Sequence, residues 1–298
     1  MEKKKKVGAE RSTKLSLVLI FVFPALFFYG IFNLFGIVRT FYYSTMEWKG
    51  ISANMTFLGL QNYVAVATDP QFWNAFKNNL ILVLVSTFIQ MPGALLLALL
   101  INCNLKGTKF FRTVFFMPML LSTVATGIMW ILFYDPNFGL LAKIVKALGI
   151  PMSTAFLEGN TALPSILAVI CWQFIPFYMI ILKAGLTNVP EELYESAKID
   201  GANSWNCFAS ITMPLLMPTI RTSAVLQLVG SPKYFDLFYV MMGGAPNAST
   251  ELMATYMYKK GFTEFQMGYA STIAAYMFII CFTFACIFLY VTGKGEKS

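Results

Sequence analysis

Residues 269–291 read YASTIAAYMFIICFTFACIFLYV, from Tyr269 to Val291, without one charged side chain. A helix rises about 1.5 Å per residue and the hydrocarbon core of a bilayer is about 30 Å thick, so a run of this length can cross it. Lipid offers no partner to backbone amides, and an open sheet edge would leave them unpaired, so the run is read as a helix. Working back along the chain, five more apolar stretches obey the same logic: Leu15–Val38, Asn79–Ile101, Val114–Tyr134, Leu163–Leu182 and Leu215–Met241. Six spans within residues 15–291 are expected, with a basic arm at 1–14 and a short tail at 292–298.

Composition agrees. Hydrophobic residues make up 57% of the 298 and charged residues 12%, against about a quarter charged in soluble domains. The arm holds Lys3, Lys4, Lys5, Lys6, Arg11 and Lys14. Its basic start could belong to a signal peptide, but the apolar run behind it is too long and no small-residue cleavage site comes after it, so it reads as a retained first span. The net charge of +8 lies in this arm and at loop edges, not in a groove-sized patch with interleaved aromatics, so no nucleic-acid partner is expected. Basic residues favour the cytoplasmic side. The arm, then Lys106, Lys109, Arg112 and Arg221, and Lys294 and Lys297 in the tail, place both termini in the cytoplasm of a cell membrane. The outer connections are then Arg39–Asn78, Asp135–Ala162 and Met242–Gly268; the inner ones are Asn102–Thr113 and Lys183–Pro214. In the first outer connection Trp48, Gly50, Gly59, Asp69 and Pro70 imply a segment structured by turns. Without histidine there is no mixed Cys/His zinc site; the five cysteines, Cys103, Cys171, Cys207, Cys281 and Cys286, form no CxxC pair and read as small apolar residues. No GxxxxGK[ST] phosphate loop is present, so the chain is not expected to be an enzyme.

The second inner connection is unlike an ordinary membrane loop. Asn188 with Glu191 makes a capping-box pattern, Pro190 suits a first turn, and Glu191 and Glu192 suit the positive end of a helix dipole. Gly201 comes directly after Asp200 and stops the helix; Ser204 is placed to cap a second short helix ending before Pro214. Two short helices across 188–214 are expected. Leu193 and Ala197 share a face with Glu192 and Glu195 beside it, which fits either a plug for a partner's groove or a solvated amphipathic linker.

The run Glu195-Ser196-Ala197-Lys198-Ile199-Asp200-Gly201-Ala202, with nine residues between Gly201 and Ile211-Thr212-Met213-Pro214, resembles the EAA loop of binding-protein-dependent ABC importer permeases. Ser196 and Met213 stand where that pattern has Ala and Leu. Phe57-Leu58-Gly59-Leu60-Gln61-Asn62-Tyr63, Phe110-Phe111-Arg112-Thr113, Pro118, Asp135-Pro136-Asn137-Phe138-Gly139-Leu140-Leu141, Phe235-Asp236, Gly243-Gly244 and Thr250-Glu251 extend the resemblance to the carbohydrate branch, the maltose and multiple-sugar type. Ala245 stands where many relatives have a third glycine. The resemblance implies an all-α integral membrane protein with six transmembrane helices in the type I ABC importer permease fold. It also implies a second homologous permease, an ABC ATPase dimer holding ATP and Mg, an extracytoplasmic sugar-binding protein, a sugar substrate and surrounding membrane lipid. Glu192, Glu195, Ser196, Ala197, Asp200, Gly201, Ala202, Ile211 and Pro214 would couple to the ATPase.

Candidate path residues come from polarity at membrane depth. Pro214 and Pro218 open the fifth stretch, Gly230 and Pro232 interrupt it, and Gln227, Tyr234 and Asp236 lie along it. Gln227 reads as pathway, whereas Lys233 and Asp236 fit either a pathway or a local pair at the outer interface. In the fourth stretch, Trp172 and Gln173 could contact a sugar or pack helices. An ion-coupled secondary transporter is the first alternative; the absence of Asp and Glu from the cores of spans one to four and six opposes it. A membrane scaffold is the second.

Overall fold

The computed structural model describes residues 20–51, 54–102, 107–150 and 154–293. The arm at 1–14, Cys103, Lys106 and tail residues 294–298 lie outside them. The elements are α1 (Ile20–Ser44), β1 (Met46–Glu47), β2 (Thr56–Phe57), α2 (Gln61–Ala67), α3 (Pro70–Asn102), α4 (Thr108–Leu120), α5 (Thr123–Tyr134), α6 (Leu140–Ala147), α7 (Ala162–Thr187), α8 (Glu191–Ile199), α9 (204–230), α10 (Asp236–Met241), α11 (Met253–Tyr258) and α12 (Met267–Gly293).

Four of these helices, α1, α3, α7 and α12 (the last without its final residue), are long and apolar enough to cross a bilayer, and α4 with α5 makes a fifth span bent by 98°. The count is therefore not the simple six expected. The third stretch, Val114–Tyr134, is broken at Leu121 and Ser122, both of extended backbone. The fifth, Leu215–Met241, is α9, a 3₁₀ turn at Ser231–Lys233 and the short α10. Arg221, Gln227, Pro214 and Pro218 dilute the apolar character of α9, so length without hydropathy marks it.

The chain divides into two compact units. The first holds residues up to Val66 and Lys260–Ala275. In it β1 pairs antiparallel with β2, Met46 opposite Phe57. Asn62 pins that hairpin by donating to Ser44 O at 3.0 Å and Met46 O at 2.9 Å, and Thr272 donates to Ser44 O at 3.0 Å. The first outer connection thus has a small sheet and a helix in addition to turns. α1 contributes almost wholly exposed apolar side chains: none of its most apolar window is buried.

The second unit holds Ala67–Lys259 and the residues from Tyr276 on. Asp69 caps α3, its Oδ1 accepting from Gln71 N at 2.8 Å, and Pro70 occupies the first turn where a missing N–H costs nothing. Two buried apolar clusters organise the unit. One joins Leu82, Tyr134, Ile166, Leu237 and Phe238; the other joins Met91, Ala94, Met179, Leu182 and Leu216. α7 contributes to both and packs along α3. Cys171 and Cys281 are buried, in keeping with a role as small apolar residues, and Cys286 is exposed. α10 ends in a Schellman turn in which Gly243 (φ 64°) and Gly244 (φ 83°) take the left-handed positions and Gly244 N reaches Tyr239 O at 2.7 Å. Ala245 comes next with negative φ, so the turn needs no third glycine.

Candidate functional site

The 188–214 loop begins differently from its sequence pattern. α7 runs on to Thr187, and Asn188 closes that helix, its N–H reaching Gly185 O at 3.2 Å; it does not cap α8. Pro190, in extended conformation, occupies the cap position of α8 without a side-chain bond. Proline's fixed φ suits the entry into a helix, but its ring offers no acceptor to the first amides of α8.

The far end of α8 is a complete Schellman motif. Ala202 N donates to Ala197 O at 2.8 Å and Gly201 N to Lys198 O at 3.1 Å, with Gly201 at φ 78°. Among the described residues, no atom lies within 4 Å of a Cβ placed on Gly201, so glycine is required there by backbone angle and not by space. Asn203, and not Ser204, caps α9: its Oδ1 accepts from Asn206 N at 2.8 Å. This second helix does not end before Pro214. It passes through a π turn at Phe208–Thr212, where Met213 N reaches back to Phe208 O, and continues to Gly230. The wider turn accommodates a proline that would otherwise clash with the preceding turn. Ile211 lies half-buried in the π turn and Pro214 is exposed just beyond it.

The loop's outer surface is bare. Ile199 is 87% exposed, Leu193 is 42% exposed, and Glu192, Glu195, Ser196 and Asp200 are exposed, with Ala197 and Ala202 half-buried. Among the described residues, no side chain pairs with Glu195. The loop also borders an open cavity of about 880 Å³, lined by Leu99 and Asn102 at the end of α3 and by Glu191, Glu195, Trp205 and Phe208. Tyr194 OH and Thr212 Oγ1 lie 2.8 Å apart and tie α8 to the π turn.

At the break after α9, the polar residues separate into two groups. Gln173 is buried and donates to Leu121 O at 3.2 Å, the carbonyl freed where α4 meets α5. Trp172 is partly exposed and edge-on to Trp130 at 5.4 Å. Both therefore brace the bend. Among the described residues, Gln227 is 2% exposed and both atoms of its amide lack a partner; Ser223 Oγ, one turn back on the same face of α9, lacks one too. The Tyr234 hydroxyl is likewise unpaired, with its ring edge-on to Phe174 at 5.8 Å. Asp236 accepts from Thr123 Oγ1 at 3.4 Å, and no ion pair joins it to Lys233 among the described residues. An unpaired buried polar atom costs about 1–3 kcal/mol, and Ser223, Gln227 and Tyr234 are polar groups of this region left unsatisfied among the described residues.

Residue reading missed the asparagines of α3. Asn79 is buried and its Nδ2 donates to Ser231 O and Pro232 O, both at 3.4 Å, while its Oδ1 accepts from Met253 N at 2.8 Å. Asn78 donates to Glu251 O at 2.9 Å, and Asn74 donates to Ala248 O. Their signal in the sequence was an amide run, Asn74, Asn78 and Asn79, at the head of an apolar stretch.

Residues 64–293 match the family described as "Binding-protein-dependent transport system inner membrane component". The chain is 34% identical over 293 residues to the "Probable ABC transporter permease protein" of Pyrococcus horikoshii, covering 96% of this chain and 99% of that one. It is 32% identical over 282 residues to the multiple sugar-binding transport system permease protein MsmF of Streptococcus mutans, 94% of each chain. Among solved structures, a chain of a bacterial alginate ABC transporter, in complex with alginate pentasaccharide-bound periplasmic protein, superposes with a TM-score of 0.85 at 20% identity. The match covers 97% of this chain and 98% of that one. That likeness is one of fold.

Proposed function

Since the chain belongs to the binding-protein-dependent transport system inner membrane component family, we propose that it forms half of the translocation path of an ATP-driven importer for a sugar or oligosaccharide. The observation that carries this reading is the 188–214 loop: a short helix with a bare apolar and acidic face, ended by Gly201 and built directly onto α9. A partner groove that receives α8 would cover Leu193 and Ile199 and meet Glu195. That partner is an ABC ATPase dimer on the cytoplasmic side, which supplies ATP and Mg. Both termini of this chain share that side. The second half of the path is a homologous permease, and an extracytoplasmic binding protein delivers the substrate.

The sugar assignment draws on relatives of this chain and on the chemistry of α9. MsmF is a permease of a multiple sugar-binding system, and the NgcF relative of Streptomyces coelicolor, 27% identical, is a permease of a diacetylchitobiose uptake system. Gln227, Ser223 and Tyr234 offer neutral donors and acceptors, and Tyr234 lies against the Phe174 ring, which suits a polyhydroxylated ring with apolar faces. ATP closes the ATPase dimer, draws the loops of the two permeases together and turns the path outward; hydrolysis resets it. Such coupling requires different loop contacts in the two states.

The test is reconstitution in proteoliposomes with the second permease, the ATPase and the sugar-binding protein. ATP-dependent uptake of a labelled sugar is expected, and omission of the binding protein should abolish it. Uptake driven by a proton gradient without ATP would overturn the reading.

A further inference from the structure

We propose that Tyr194 and Thr212 are positioning residues: a strut that carries displacement of α8 into α9. The inference rests on reading α8 as the helix that meets the ATPase. α8 and α9 meet at the Gly201 turn, whose two backbone hydrogen bonds close the end of α8 and do not reach α9. Gly201 sits there at φ 78° with nothing within 4 Å of a Cβ position, and an open cavity lies beside the loop. A push on α8 would be absorbed at this glycine unless another link held the two helices at a fixed angle.

The Tyr194–Thr212 hydrogen bond, at 2.8 Å, is such a link. Thr212 is 5% exposed and Tyr194 is half-buried, so the bond is partly shielded from water although both residues line the open cavity. Its hydroxyl also donates to Cys207 O at 3.4 Å, which leaves the Tyr194 phenol as the donor between the two side chains. From Thr212 the helix is unbroken to Gly230, with Gln227 and Ser223 on it and the 3₁₀ break directly after it. Residues 204–230 form one continuous helical path about 40 Å long. A torque applied beside its first turns is thus delivered to the far end, where the unpaired polar groups lie.

The experiment uses the reconstituted complex of both permeases, the ATPase and the binding protein. Tyr194→Phe removes one hydroxyl and keeps the ring; Thr212→Val removes the other and keeps the shape; Thr212→Ser keeps the bond. Copurified ATPase, ATP hydrolysis and sugar uptake are measured. With either bond-breaking variant the ATPase should remain at wild-type stoichiometry and hydrolysis should continue. Sugar moved per ATP should fall about five-fold, the loss of one partly buried hydrogen bond. The double variant should be no worse than either single, and Thr212→Ser should behave as wild type. Wild-type coupling in both bond-breaking variants, additive losses in the double, or loss of the ATPase would each overturn the strut. Glu195→Ala serves as the control for the underlying reading: if it transports normally with the ATPase bound, that reading fails; if it uncouples while the strut variants do not, the strut alone fails.

Discussion

At Gly201 the chemistry of one residue can be separated cleanly. Space does not restrict a side chain there, so the cost of replacement comes from φ 78° alone. Asparagine tolerates that conformation, alanine pays about 1 kcal/mol or more, and a β-branched residue pays most. Uncoupling of hydrolysis from uptake should therefore rank Gly201→Val above Gly201→Ala above Gly201→Asn, with normal insertion throughout. A ranking by side-chain volume in place of backbone tolerance would show that a partner packs directly on this position. Glu195 is exposed and unpartnered among the described residues, so Glu195→Ala should not affect the stability of the chain itself. Truncating one side of a desolvated charged contact costs roughly 2–5 kcal/mol, so ATPase copurification should drop steeply. Gln227 belongs to the opposite end of α9. Gln227→Cys, in a background without the native cysteines, should react with a polar thiol reagent in one state of the cycle, and sugar should protect it. Equal inertness in both states would make it a packing residue.

At the scale of elements, the two interrupted segments of the second unit are held by amides from other helices. Gln173 on α7 meets the carbonyl freed between α4 and α5, and Asn79 on α3 bridges the carbonyls freed after α9 and the first amide of α11. In lipid such groups must find protein partners. Asn79→Leu would leave Met253 N–H and two carbonyls bare, lowering stability by about 1–3 kcal/mol, visible as a lower thermal unfolding midpoint of the purified complex. Asn74→Ala, at a half-buried site with one such contact, should shift that midpoint less. Equal shifts would mean that the Asn79 bridge carries no particular weight.

For the whole molecule, the exposed apolar surface is the dominant fact. α1 buries none of its most apolar window, and the large side chains Phe88, Phe110, Leu120 and Phe282 are exposed. Lipid covers such surface, but lipid does not pair the buried polar atoms of α9, and a homologous permease is proposed to complete the path beside them. Expressed alone, the chain should be unstable in detergent; coexpressed with that permease it should purify at one to one. Full ATP-driven transport by this chain with the ATPase alone would sink the heterodimer.

Local chemistry was legible in the sequence because it depends on near neighbours. Apolar runs long enough to cross lipid mark the chain as a helical membrane protein, and the Glu195 to Gly201 spacing, with Ile211 and Pro214 beyond it, carries the resemblance to the EAA loop. Even there the caps were misplaced: Asn188 and Ser204 have the right chemistry, but α7 overran the first and Asn203 took the role of the second. The 98° bend at Leu121 and Ser122, the unbroken course of α9 through Pro214 and the bridge from Asn79 were decided by tertiary structure. Each depends on a partner far along the chain, Gln173 for Leu121 and Met253 for Asn79, or on a π turn that hydropathy does not encode. An apolar run states that a segment can enter lipid; whether it crosses straight, bends or breaks depends on which distant side chain is there to pair the backbone groups that a break sets free.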